Sequence, residues 1–182
     1  EEVHEFCVKH VYQKTLDAMK AEGRLFKGII FFGLMLTEDG PKVLEYNARF
    51  GDPEAQVVLP RLKTDLIDVV EAAIDEKLDT ISLEWDDRAT VCVVLASGGY
   101  PLAYEKGYEI EGLESFKEEE EVIVFHAGTK AEGTKILTNG GRVLGITAYG
   151  KDMDEARVKA YQAVDKIHFK DKHFRKDIGI KK

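Results

Sequence analysis

The sequence predicts an α+β fold built from two units. Three observations carry that expectation. Apolar residues recur at helical spacing near the start, in the middle and at the end of the chain. A dense apolar run, the polar stretch Thr37-Glu38-Asp39-Gly40-Pro41 and a second apolar run mark a hairpin. Beyond residue 88 the signals turn to strand, and a helix closes the chain. The segment from Leu78 to Arg88 is acidic and weakly periodic, so the expected division is 1–80 from a β-rich 81–182.

From Glu2 to Ala21, Val3, Phe6, Cys7, Val11, Leu16 and Met19 fall on one helical stripe that Gly23 ends. Residues 28–36 read as a buried strand and residues 42–47 as its returning partner. Asp52-Pro53-Glu54 reads as a helix start, with Asp52 at the N-cap and Pro53 at the first position, and Pro60 cuts that helix short. Thr64 or Asp65 caps a second helix running to about Lys77. Strands are expected at 89–96, 122–126, 135–138 and 142–149, the last two joined as a hairpin by Asn139-Gly140-Gly141. The final helix covers 153–168, and Glu118-Glu119-Glu120-Glu121 is a solvated loop.

Composition narrows the function classes. A hydrophobic content of 44% with 33% charged residues is ordinary for a globular protein, and no apolar run approaches bilayer length, so no membrane role is expected. The net charge of −8 works against attraction to nucleic acid; the basic stretch from Lys170 to Lys176 contains Asp171 and reads as a solvated tail. Cys7 and Cys92 lie in apolar surroundings, which fits buried reduced thiols in a cytoplasmic protein. The chain starts at Glu1 without a secretory signal and reads as part of a longer protein.

The chemistry concentrates in Val43-Leu44-Glu45-Tyr46-Asn47-Ala48-Arg49-Phe50-Gly51-Asp52-Pro53-Glu54. Alternation along a strand places Glu45 and Asn47 on one face and Leu44 and Tyr46 on the other. A carboxylate beside an amide oxygen suits a hard divalent cation, which takes oxygen ligands and in nucleotide sites keeps few protein groups. The same two residues also fit the wet face of a half-exposed strand. Arg49, if the strand stays extended there, lies beside such a cation and can fork onto a carboxylate or phosphate; a surface ion pair is its other reading. Gly51-Asp52-Pro53 allows a tight turn that brings a helix N-terminus to the site, with Asp52 either a cap alone or a contact to a substrate amine or hydroxyl. Ser97-Gly98-Gly99-Tyr100-Pro101 lacks the Walker helix and Lys and reads as a tight connection, and His126 as a core or edge histidine.

With Arg49-Phe50-Gly51-Asp52-Pro53-Glu54 following the Glu-x-Asn pair, the stretch resembles the glycinamide ribonucleotide synthetase family, ATP-grasp ligases of purine synthesis. The likeness continues through Gly33-Leu34-Met35-Leu36, Gln56-Val57-Val58-Leu59-Pro60-Arg61, Cys92-Val93-Val94-Leu95-Ala96-Ser97-Gly98-Gly99-Tyr100-Pro101 and Phe125-His126-Ala127-Gly128-Thr129-Lys130. It implies the second half of an ATP-grasp domain followed by a small β-rich C-terminal domain with a closing helix. It also implies that Glu45 and Asn47 hold Mg2+ or Mn2+ under ATP, and that Arg49, Gly51 and Asp52 meet substrate, with Arg49 catalytic. The implied reaction joins glycine to 5-phosphoribosylamine through a glycyl phosphate.

Other ATP-grasp enzymes place a further acidic or amide ligand on the preceding strand, and Ile29 to Leu36 offers none. Nothing upstream resembles the family's phosphate loop or adenine clasp, so the resemblance makes the upstream half of the same enzyme a required partner and this piece inactive alone. Two alternatives stand beside it: another ATP-grasp ligase, and a noncatalytic lid or interaction module of a multifunctional purine-synthesis protein.

Overall fold

A computed structural model describes residues 2–180. Its contacts separate two compact units, Glu1–Gly51 with Thr64–Leu83, and Asp52–Lys63 with Glu84–Lys182. The chain thus enters the second unit, returns to the first, and leaves again, so residues 52–63 pack with the strands that follow residue 84.

In the first unit the predicted N-terminal helix is a continuous helical run: α1 (Glu2–Cys7), a π-helical segment (Val8–Tyr12) and α2 (Gln13–Ala21). Gly23, at φ 71°, ends it, with Arg24 N–H returning to the Met19 carbonyl at 2.8 Å. Strands β1 (Phe31–Thr37) and β2 (Gly40–Asn47) form the expected antiparallel hairpin, with Phe31 opposite Asn47 and Gly33 opposite Glu45. The helical run meets this hairpin through aromatic rings, Tyr12 on Phe32 at 4.6 Å and Phe32 on Tyr46 at 5.3 Å between centroids.

The second unit holds α3 (Ala55–Val58), continued by a 3-10 turn (Leu59–Arg61), while the first holds α4 (Leu66–Ile74), capped by Asp65, whose carboxylate accepts from Ile67 N–H at 2.8 Å. Lys27 reaches the end of α4, donating to the Ile74 carbonyl and pairing with Glu76 at 2.7 Å, as a cation should at a helix C-terminus.

The second unit is organised by β7 (Arg142–Gly150), which lies between β3 (Ala89–Ala96) and β4 (Val122–His126), antiparallel to both. One face of this sheet carries Val91, Val93, Leu95, Leu144, Ile146 and Ala148 into a core against α5 (Met153–Lys166). Ala156, Ala160 and Ala163 line the helix side of that core, and their small side chains let helix and sheet approach closely. Asp152 caps α5 by accepting from Glu155 N–H at 2.9 Å, and Lys172 closes its far end on the Val164 and Ile167 carbonyls.

The opposite sheet face, defined by the pairs Thr90 with Tyr149 and Cys92 with Thr147, takes the 55–61 segment. Three hydroxyls hold it: Thr90 donates to the Val57 carbonyl (2.8 Å), Thr147 to Gln56 (2.9 Å) and Tyr149 to Pro60 (2.7 Å). A one-turn helix broken by Pro60 leaves carbonyls without intrahelical partners, and these donors satisfy them.

Two expectations are corrected. Asn139-Gly140-Gly141 does not join a hairpin: β6 (Lys135–Thr138) pairs with β5 (Thr129–Glu132), a polar strand that alternation did not reveal, and β7 pairs elsewhere. Asp52 is not a helix cap either, since α3 starts two residues later than expected, with Glu54 at the N-cap and no side-chain cap bond. With only four residues, α3 offers no anion site at its N-terminus.

Candidate active site

Strand β2 supplies the two oxygen-bearing side chains. Glu45 is exposed and Asn47 half-buried, two residues apart and opposite Gly33 and Phe31, so both address one face of the hairpin. Leu44 and Tyr46 are exposed, as 65% and 55% accessibility shows for the alternate positions. The register slips between Gly33 and Leu34, leaving Leu44 without an opposite partner immediately before Glu45; such bulges re-aim the side chains beside them.

Gly33 makes room for the carboxylate. A Cβ at this position would stand 2.7 Å from Glu45 Cγ and 3.4 Å from its Oε1, so the Glu45 side chain lies across β1 where another residue would project. The preceding strand thus contributes space to the site where it contributes no ligand. A glycine inside an apolar strand is the sequence signal for such a close approach.

The strand ends at Asn47, and Arg49 sits in the bend beyond it with Nη1 donating to the Phe50 carbonyl at 2.7 Å. Arg49 is therefore not an extension of β2, and it is exposed. Gly51 is buried. Asp52, in the second unit, is held from two sides: Arg142 Nη2 approaches Oδ2 at 3.1 Å, and Gln56 Nε2 donates to Oδ1 at 2.9 Å. Neither Gln56 nor Arg142 stood out as a site residue in the sequence.

Glu45 and Asn47 fit a divalent cation by donor chemistry, two oxygens on one strand face with the carboxylate free of any salt-bridge partner among the described residues. No group of three or more His, Cys, Asp or Glu side chains gathers for a metal among the described residues, so a cation here would draw its remaining ligands from nucleotide and water. A cavity of about 670 Å³ in the first unit is lined by Tyr12, Leu16, Phe26, Lys27 and Phe32 and includes none of the predicted site residues. His126 ends the edge strand β4, exposed, with Nδ1 3.0 Å from Thr129 Oγ1. Burial pushes the Cys92 thiol up from its ordinary value, and it stays protonated in the folded chain at neutral pH.

The model for the C domain of phosphoribosylglycinamide synthetase matches residues 90–181, and that for the ATP-grasp (A) domain of the same enzyme matches residues 1–55. The chain belongs to the phosphoribosylglycinamide synthetase family. Glu45, Asn47, Arg49, Gly51 and Asp52 all lie inside the ATP-grasp match. Among its relatives, the phosphoribosylamine–glycine ligase of Caldanaerobacter subterraneus subsp. tengcongensis is 50% identical, the match covering 93% of this chain and 43% of the relative. The trifunctional purine biosynthetic protein adenosine-3 of Gallus gallus is 52% identical over 94% of this chain and 17% of its own length. The crystal structure of phosphoribosylamine–glycine ligase from Thermotoga maritima superposes with a TM-score of 0.78 at 37% identity, covering 93% of this chain and 41% of that one. The chain therefore spans less than half the length of these synthetase-family relatives. No helix among the described residues is long and apolar enough to cross a membrane.

Proposed function

We propose that this chain forms part of an ATP-dependent ligase that joins glycine to 5-phosphoribosylamine in purine synthesis. The observation that carries this reading is the Glu45–Asn47 pair over Gly33, placed within the ATP-grasp match of a synthetase-family chain.

The reaction brings two anions together. A glycine carboxylate oxygen attacks the γ-phosphorus of ATP, the bond to the β–γ bridging oxygen breaks, and ADP leaves. The phosphoribosylamine nitrogen then attacks the carbonyl carbon of the glycyl phosphate, phosphate departs, and the nitrogen loses a proton. Glu45 and Asn47 would hold Mg2+ or Mn2+, which supplies positive charge against the phosphates. Arg49 presents two parallel donors to the planar carboxylate of glycine, a fit that an ammonium cannot reproduce. Asp52 accepts from the substrate amine on its open side, and the buried Gly51 belongs to the same substrate-binding stretch of sequence. The setting of such chemistry is the cytoplasm, with the upstream half of the same enzyme completing the nucleotide site.

The test is product formation from glycine, phosphoribosylamine and ATP by the full-length protein, with Glu45→Gln beside it. Loss of electrostatic support to phosphoryl transfer costs on the order of 3 kcal/mol, about a hundredfold in turnover. Near-normal turnover of Glu45→Gln at saturating cation would remove Glu45 from the site, and a wild type that makes no product would remove the reading.

A further inference from the structure

Arg142 opens β7, and its guanidinium grips both the side chain and the main chain of Asp52. Nη2 lies 3.1 Å from Oδ2, and Nη1 donates to the Asp52 carbonyl at 2.9 Å, across 90 residues of sequence. The other carboxylate oxygen accepts from Gln56 Nε2 at 2.9 Å, and Gln56 is itself fixed to β7 by Thr147 Oγ1 on its carbonyl. One strand therefore sets the position of Asp52 through two separate side chains.

Arg142 is in turn held by a glycine pack. Gly128 N–H donates to the Arg142 carbonyl at 2.8 Å, and a Cβ on Gly128 would come within 2.6 Å of that oxygen and 2.5 Å of Gly140 Cα. Ser97 Oγ donates to the Gly140 carbonyl at 2.8 Å from the other side. The Ser97–Pro101 and Phe125–Lys130 stretches converge here on the main chain at Gly140 and Arg142.

This arrangement is more than an ion pair closing a surface. The side chains of Asp52 and Arg142 remain 44% and 41% accessible, and a carboxylate offers about four acceptor positions, of which Arg142 and Gln56 take two. Arg142 thus holds Asp52 at two points, one carboxylate oxygen and the main-chain carbonyl, and leaves the carboxylate with acceptor positions to spare. We propose that Arg142 is a positioning residue of the ligase, holding the Asp52 carboxylate so that its open lone pairs receive the amine of glycine. The inference rests on the function proposed above and adds to it a residue from the C-domain match, remote in sequence from the Glu-x-Asn strand.

Steady-state kinetics of the full-length enzyme decide it, with glycine and ATP varied separately and thermal melts recorded for wild type, Asp52→Asn, Arg142→Lys, Arg142→Ala and the Asp52→Asn/Arg142→Ala double variant. Arg142→Ala should raise KM for glycine about tenfold while KM for ATP stays within about twofold. Arg142→Lys keeps a cation but loses the fork and should fall between wild type and Arg142→Ala. The double variant should be no worse than Asp52→Asn alone, because both changes act through one carboxylate. A glycine KM near the wild-type value in Arg142→Ala, with or without a lowered melting temperature, would reduce Arg142 to a structural strut. If Arg142→Ala does not fold, an unchanged glycine KM in Arg142→Lys has the same meaning, as does full additivity in the double variant. A wild type without ligase activity overturns the function and this inference together, whereas an active wild type with an indifferent Arg142 overturns the inference alone.

Discussion

The Glu45 side chain lies across Gly33, so close that a Cβ at position 33 would stand 2.7 Å from Glu45 Cγ. A residue without a side chain on one strand thereby fixes where a carboxylate on its neighbour can rest.

Gly33→Ala should consequently displace the Glu45 carboxylate and weaken cation affinity by about tenfold or more, the usual effect of disturbing a group that orients a ligand. The backbone gain of alanine over glycine in a strand is opposed by this close contact, which the exposed Glu45 side chain relieves by turning away, so the melting temperature should change little. Activity measured against Mg2+ concentration in the full-length protein checks this: a rightward shift is expected, and an unshifted curve would mean that Glu45 does not hold the cation in this rotamer.

Arg49 leaves the strand and, among the described residues, donates to the carbonyl of the next residue, Phe50, which leaves most of its guanidinium donors for substrate. Arg49→Lys and Arg49→Ala should both raise KM for glycine by about tenfold or more, with ATP affinity changing less. Normal glycine dependence in both variants would assign the carboxylate to another group.

The hydroxyl contacts under the 55–61 segment predict a stability effect apart from catalysis. Tyr149→Phe removes the donor to the Pro60 carbonyl, and Thr147→Val the donor to Gln56. Each leaves an acceptor in a half-buried setting unpaired and should cost about 1–2 kcal/mol by urea denaturation. A change below about 0.3 kcal/mol in both would mean that water replaces these donors without loss.

Asp86 gives a pH signature. Its carboxylate accepts from Arg88 N–H at 2.9 Å and from Nη2 at 2.7 Å, and this contact holds it well below the usual carboxylate range. A folded value lowered in this way contributes stability above the unfolded value of about 3.9, and loses it as pH falls through that value toward the folded one. Arg88→Ala should therefore melt below wild type by a constant margin above about pH 5, and the margin should narrow as pH falls below about 4. Some margin should persist in acid, because the Arg88 guanidinium also stacks 4.3 Å over the Tyr149 ring. Melts between pH 7 and 3 read this out; a margin independent of pH would assign the whole effect to the ring contact.

Much of the fold was legible because local pattern and local structure agree. The period of two in Val43 to Asn47 put Glu45 and Asn47 on one face before any partner strand was known, and the apolar runs at 122–126 and 135–138 are β4 and β6 to the residue. Of Thr64 and Asp65, the two polar residues before an apolar stripe, Asp65 is the cap. These features depend on residues within one turn or one strand of each other.

What the sequence could not decide is which elements meet. Asn139-Gly140-Gly141 carries turn chemistry, but whether a turn closes a hairpin depends on the partner that the flanking strands find, and Lys135–Thr138 finds the polar Thr129–Glu132. Asp52-Pro53 has the composition of a helix start, yet the carboxylate belongs to Arg142, a stronger charged donor delivered by the sheet from 90 residues away. By itself the sequence determined the family, the strand that bears Glu45 and Asn47 and the side chains it presents, since alternation and motif are local properties. Only the tertiary structure decided that Gly33 clears space for Glu45, that residues 52–63 pack with the later strands, and that Arg142 fixes Asp52, because each of these is a contact between segments whose separation along the chain leaves no periodic trace.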